Sequence, residues 1–124
     1  MAADGFHDFV RELLDGLGPV TIKKFFGGGG VYSDGAMFAM LASDTIYLKA
    51  DEALKRDLAE VGSGPFIWTP ASGPKAGQQV EMGYWRLPEN ALDDPEEAVR
   101  WGRRALDVAR AATATKARRK RVGK

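Results

Sequence analysis

Hydrophobic positions near the start of the chain repeat at helical spacing. Phe6, Phe9, Val10, Leu13, Leu14 and Leu17 line one side of a predicted helix. Asp4 is placed to cap its N-terminus, and Gly16 or Gly18 followed by Pro19 ends it. From Val20 the period drops to two. Val20, Ile22, Lys24 and Phe26 share one face of a strand, and Thr21, Lys23 and Phe25 the other. A short second strand is expected around Gly30 to Ser33. Ala36 to Ala42 follows, with Met37, Ala39 and Leu41 on one side and Phe38, Met40 and Ala42 on the other. A strand apolar on both faces belongs in the middle of its sheet. Thr45 to Lys49 forms a fourth strand, and Ser33-Asp34-Gly35 and Ala42-Ser43-Asp44 read as the turns between strands.

Asp51 is placed to cap a second helix whose buried stripe is Leu54, Leu58 and Val61, closed by Gly62. Phe66 to Thr69 reads as a short strand, Pro70 to Gly77 as a polar loop, and Gln78 to Leu87 as a further alternating strand. The last helix has the clearest start: Asp94 at N-cap, Pro95 at N1, Glu96 and Glu97 at N2 and N3. Ala98, Gly102, Ala105, Ala109 and Ala112 give it a flat small-residue face. The order is α-β-β-β-β-α-β-β-α. Short links between strands require antiparallel neighbours, and the helices must cover a sheet face. The expected fold class is α+β: an antiparallel or mixed sheet of about five to six strands with three helices.

Gly27, Gly28, Gly29 and Gly30 interrupt this pattern as a structural corner. A phosphate-cradling loop would need GxxxxGK[ST] opening a helix, whereas these glycines lead into a strand and no Lys follows at the required place. A bulge or tight corner with backbone at positive φ is expected instead.

Composition narrows the chemistry. The 124 residues fit one domain. Cys is absent, which excludes disulfides, thiolate catalysis and Cys-based metal sites, and a single histidine, His7, excludes a His-rich metal site. The start has neither a basic n-region nor an apolar h-region, and no apolar run approaches a membrane span, so a cytoplasmic location is expected. Charge is unevenly placed. Lys116, Arg118, Arg119, Lys120, Arg121 and Lys124 are six of the 18 basic residues, which leaves 12 basic against 17 acidic groups in residues 1–115. We therefore expect a folded domain over 1–114 and a basic, disordered tail over 115–124, with the six tail cations as candidates for sequence-indifferent phosphate contact.

No nucleophile, base and orienting group come together in the pattern, so an enzyme is not expected and no cofactor is implied. His7 reads as a surface or half-buried residue. Asp93, Asp94, Glu96 and Glu97 are explained by helix capping. Among the aromatic residues near the second hairpin, Trp68 and Trp85, with Arg86, are the candidates for contact with a partner, since Trp and Arg are enriched at binding hot spots.

Several blocks carry a resemblance. They are Lys23-Lys24-Phe25-Phe26 through the four glycines to Val31-Tyr32, Asp34-Gly35 with Met37-Phe38-Ala39, and Ile46 to Asp51. Farther on come Met82-Gly83-Tyr84-Trp85-Arg86-Leu87-Pro88 and Leu92 to Pro95. In order and spacing these resemble the N-terminal domain of the TfoX (Sxy) family over residues 5–112. Phe25 stands where the family usually has Met. The full regulators carry a second, helical domain, so the chain is most similar to the stand-alone single-domain members. The resemblance implies an α+β domain that regulates without catalysis. It also implies a link to bacterial competence and transcription regulation beside the cyclic-AMP receptor protein, and hence a partner in the transcription machinery. Two other readings stay open. One is a small-molecule binder or minor enzyme using a cleft near the glycine corner. The other is a homodimer scaffold formed through a sheet edge.

Overall fold

The structure is a computed structural model that describes residues 2–25, 28–69, 71–74 and 76–122, and the side chains of all these except 2–4, 25, 68, 81, 82 and 113–122. Its elements follow the order α1 (Ala2–Leu13), β1 (Thr21–Phe25), β2 (Gly28–Ser33), β3 (Ala36–Ala42), β4 (Thr45–Lys49), α2 (Glu52–Glu60), β5 (Pro65–Trp68), β6 (Val80–Arg86) and α3 (Pro95–Val122). Short 3-10 turns cover Asp15–Leu17 and Glu89–Asp93. The six strands form one sheet in the order β1-β2-β3-β4-β6-β5, and every neighbouring pair is antiparallel. The fold is α+β, as the periodicity predicts, and β3 lies inside the sheet as its two apolar faces require. The α2 connection carries the chain from β4 past its neighbour position to β5, and β6 returns to pair with β4.

All three helices pack on one face of the sheet. The shared core contains Val10 and Leu14 of α1, Leu54 and Leu58 of α2, and Ala98, Ala105 and Ala109 of α3. From the sheet it receives Val31, Phe38, Ala39, Leu41, Ile46 and Leu48. Small residues let the α3 backbone lie close to β3 and β4, as expected. Gly102 meets the first helical region: a Cβ there would stand 3.1 Å from Leu17 Cδ1.

Strict alternation in β3 does not survive. Val31 pairs with Ala39 but Tyr32 pairs with Met37, which leaves Phe38 as an extra residue. This bulge turns both Phe38 and Ala39 toward the helices, and both are fully buried. The strand thereby puts its one large aromatic into the core and keeps Met37 and Met40 on the opposite face.

The caps of α2 and α3 form as the sequence predicts. Leu54 N–H donates to Asp51 Oδ1 at 2.9 Å. The N–H groups of Glu96 and Glu97 donate to Asp94 Oδ1 at 3.2 and 3.4 Å. Gly62, at φ +88°, ends α2, and Ser63 N–H reaches back to the Leu58 carbonyl at 3.0 Å.

Three expectations are corrected, and the backbone beyond residue 114 is also described. Asp4 lies within α1, so it is not the cap. Phe9 and Val61 are 37% and 54% exposed and fall outside the buried stripes. Both sit at the rim of a helix face narrower than the apolar pattern suggests. His7 is buried rather than at the surface: its Nε2 lies 3.8 Å from where a Gly29 Cβ would stand, and the missing side chain makes room for the imidazole. The backbone of α3 continues as helix to Val122, across the 114/115 boundary expected for a disordered tail. Ala, Lys and Arg are strong helix formers, and cations in the last turns suit the negative end of the helix dipole.

Candidate functional site

Gly28, Gly29 and Gly30 run as strand β2, while the reversal between Phe25 and Gly28, where Gly27 stands, lies outside the described residues. Gly28, Gly29 and Gly30 lie in β2, paired with Phe25, Lys24 and Lys23 on one side and Ala42, Leu41 and Met40 on the other. Among the described residues positive φ occurs at six other glycines, including Gly35 and Gly83. What requires glycine here is close approach. A Cβ on Gly28 would stand 1.9 Å from the Leu41 carbonyl oxygen. On Gly29 it would stand 3.1 Å from the Lys23 oxygen. On Gly30 it would meet Met37 Sδ and Tyr32 Cε1, each at 3.0 Å. Gly27 lies outside the described residues. A side chain at Gly28, Gly29 or Gly30 would meet neighbouring strands and side chains.

Gly30 therefore permits the Tyr32 ring to lie down against the sheet. That ring belongs to the second face, the one without helices. With Val31, Ala39, Ile46 and Leu48 committed to the core, alternation places Gly30, Met40, Tyr47 and Lys49 on the opposite side. Register aligns two rows there. Lys23, Gly30, Met40, Tyr47 and Arg86 follow one another across β1, β2, β3, β4 and β6. Tyr32 and Met37 are paired two residues along, and Lys49 and Tyr84 likewise on β4 and β6.

Cations sit against the rings of this face. Lys23 Nζ is 5.0 Å from the Tyr32 centroid and Lys49 Nζ is 5.4 Å from that of Tyr84. Tyr47 meets Phe66 edge-on with centroids 5.0 Å apart. Burial raises the Tyr84 phenol above its ordinary value of 10.0, and the nearby Tyr32 phenol raises it further. Sixteen of the 17 acidic residues lie in helices, turns and loops, and Glu81 alone lies in a strand. No carboxylate occupies a position on this face in β1, β2 or β4.

The three partner-contact candidates are separated. Trp85 opposes Leu48 in register and packs against the core cluster, so its ring faces the helix side. Arg86 is exposed and opposes Tyr47, and its Nη2 donates to the Gly62 carbonyl at 3.4 Å, at the end of α2. Trp68 opens no contact that can be described, because its side chain lies outside the described ones. The six tail candidates divide similarly. Lys116, Arg118, Arg119, Lys120 and Arg121 lie on the backbone of α3, with side chains outside the described ones, and Lys124 lies outside the described residues.

The arginines nearer the start of α3 serve the body. Arg104 Nη1 reaches Asp57 Oδ2 of α2 at 2.7 Å, Arg103 donates to the Gly16 carbonyl at 3.4 Å, and Arg110 lies 3.6 Å from Asp34 in the β2–β3 turn. Arg100 pairs with Glu97 within the helix. Asp8 pairs with Arg11 at 3.0 Å. Among the described residues no group of three or more His, Asp or Glu is placed to hold a metal, and no helix is long and apolar enough to cross a membrane.

Reading each strand for its core residues hides the open face. Its signal in the sequence is the complementary set: Tyr or Lys at alternate positions of four strands, with almost no acid among them.

Comparison with known proteins agrees with this architecture. Residues 12–109 match the model of the TfoX N-terminal domain. The chain is 27% identical over 112 residues to Protein Sxy of Escherichia coli (strain K12), covering 90% of this chain and 51% of that protein. It thus spans about half the length of that relative.

Proposed function

The chain belongs to the TfoX family through its N-terminal domain, and on that footing we propose that it is a non-enzymatic regulatory module working by contact with a protein of the bacterial transcription machinery. The family is one of competence regulation. The observation that carries the reading is the match over residues 12–109, which takes in every strand, α2 and the first half of α3. The cyclic-AMP receptor protein is the partner to test first, because the family resemblance points to it. Two further features favour contact over chemistry. Arg103, Arg104 and Arg110 of α3 reach the turn after α1, α2 and the β2–β3 turn. The cations of 116–121 then extend the same helix beyond the last of these contacts, at Arg110. Such a run gives duplex DNA a weak, sequence-indifferent hold through its phosphates.

Two measurements test this. The first is calorimetry of the intact chain against purified cyclic-AMP receptor protein, with and without a promoter duplex. Saturable binding is expected, and heats indistinguishable from dilution refute the partner. The second is titration of labelled duplex at two salt concentrations, with the intact chain and with a chain lacking residues 116–124. The tail contributes if binding weakens with salt and with truncation. Binding indifferent to both refutes its role.

A further inference from the structure

We propose that the helix-free face of the sheet is a binding platform for single-stranded nucleic acid, with bases stacking on Tyr32, Tyr47 and Tyr84 and phosphates held by Lys23 and Lys49. This goes beyond the duplex contact assigned to the end of α3 and uses a different surface.

The first reason is the pairing of rings with cations. Two of the three tyrosines already hold a lysine ammonium against the ring, at 5.0 and 5.4 Å. A base has a π-face for the ring and a phosphate for the ammonium, so one nucleotide engages both members of such a unit. The second reason is spacing. Tyr47 and Tyr84 stand on adjacent strands two residues out of register, roughly 8 Å apart at the backbone, and Tyr32 lies three strands from Tyr84, about 14 Å away. That interval accommodates two to three stacked nucleotides, the number a four-stranded sheet platform reads in RNA-binding domains.

The third reason is charge. The body carries more acids than bases, yet the open-face positions of β1, β2 and β4 present lysines and no carboxylate. Lysines set among rings, with no carboxylate beside them on these strands, draw a polyanion to this face. A second copy would set Lys23 and Lys49 against themselves. The fourth reason is Gly30, whose missing Cβ lets Tyr32 and Met37 lie flat where a side chain would lift them. The apolar floor of Met37 and Met40 then excludes water beneath a stacked base.

The test uses the full chain and a fluorescein-labelled 12-nucleotide mixed-sequence DNA, its RNA counterpart and the matching DNA duplex, followed by anisotropy. Both single strands should bind at least tenfold more tightly to the chain lacking 116–124 than the duplex does. Tyr47→Ala and Tyr84→Ala should each weaken single-strand binding about tenfold. Lys23→Gln and Lys49→Gln, at positions on the helix-free face outside the core, should each reduce the slope of log affinity against log salt by about 0.7. Melting curves identify a variant that fails to fold, in which case the lysine pair decides the outcome. The proposal is overturned if duplex and single strand bind the truncated chain equally, or if the lysine variants leave the salt slope unchanged. It is also overturned if a polyglutamate peptide displaces the oligonucleotide at equal charge concentration, or if light scattering shows a dimer that Tyr47→Ala or Lys49→Gln dissolves.

Discussion

Replacing Gly28 by Ala is the sharpest challenge to the close-approach account of the glycine run. The added Cβ would stand 1.9 Å from the Leu41 carbonyl oxygen and 3.1 Å from the carbonyl carbon, and both belong to backbone. A carbon–oxygen contact needs about 3.3 Å, so the strands must part by roughly 1.4 Å. A ladder hydrogen bond of ordinary length does not survive such a shift. The cost combines overpacking, about 1–3 kcal/mol, with about 1 kcal/mol for a lost ladder bond, giving roughly 2–4 kcal/mol. At about 4 °C per kcal/mol for a domain of this size, Tm should fall by roughly 8–16 °C. Two companion variants separate crowding from dihedral strain. Gly5→Ala, within α1 and with open space around it, should gain about 0.5–1 kcal/mol. Gly35→Ala, at φ +83° but also in open space, should lose about 1–2 kcal/mol. Differential scanning calorimetry gives the order. A Gly28→Ala melting point within about 2 °C of the parent, or one above that of Gly35→Ala, refutes the crowding argument.

Further expectations concern caps, titration and coupling. Asp51→Ala removes the acceptor for Leu54 N–H and should lower unfolding free energy by about 1 kcal/mol in urea titration, while Asp51→Asn should recover most of it. Tyr84 has a folded pKa above its unfolded value near 10, so its contribution to stability is complete below that value and is lost as pH rises through the raised folded value. Tyr84→Phe should flatten the alkaline limb of a Tm–pH curve, and an unchanged limb counts against the burial of this phenol. The Asp57–Arg104 pair joins α2 to α3 with both side chains near half exposed, so a double-mutant cycle should give a coupling of about 0.2–1 kcal/mol that shrinks in 1 M salt.

How far the sequence reveals this fold depends on which force shapes each part. Element order follows from periodicity and caps, both local. Asp94-Pro95-Glu96-Glu97 starts a helix whatever lies around it, and Asp51 does the same for α2. The bulge at Phe38 is invisible to a period-two reading because it is decided across strands, by the demand that the one large aromatic of β3 join the core. The glycine run shows the same limit. Its special chemistry is visible, but dihedral freedom and close approach leave identical marks in a sequence, and only the position of the Leu41 carbonyl separates them. Phe9 and Val61 fall on helical stripes and still escape burial, because the width of the buried stripe is set by the neighbouring helices. Trp85 is a natural contact candidate by composition. Its place opposite Leu48 follows from β6 pairing with β4 rather than with β5 alone, which local signals do not encode.

The two basic features of the chain meet at one end of the molecule. Arg110 bridges to Asp34 in the β2–β3 turn, so that turn marks where α3 passes the rim of the sheet. Twelve residues of helix remain between Arg110 and Val122, roughly 18 Å of rise, and they carry the cations from Lys116 to Arg121 beyond that rim. Tyr32 and Met37 lie just before and after the same turn, on the open face. A single strand seated on the tyrosines can therefore run off the platform toward the cations of α3 instead of away from them. If both surfaces hold one strand, Lys23→Gln should weaken single-strand binding by the same factor with and without residues 116–124, whereas separate sites would let the intact tail mask most of that loss. For duplex, which the flat face cannot stack, Lys23→Gln should change nothing whether or not the tail is present.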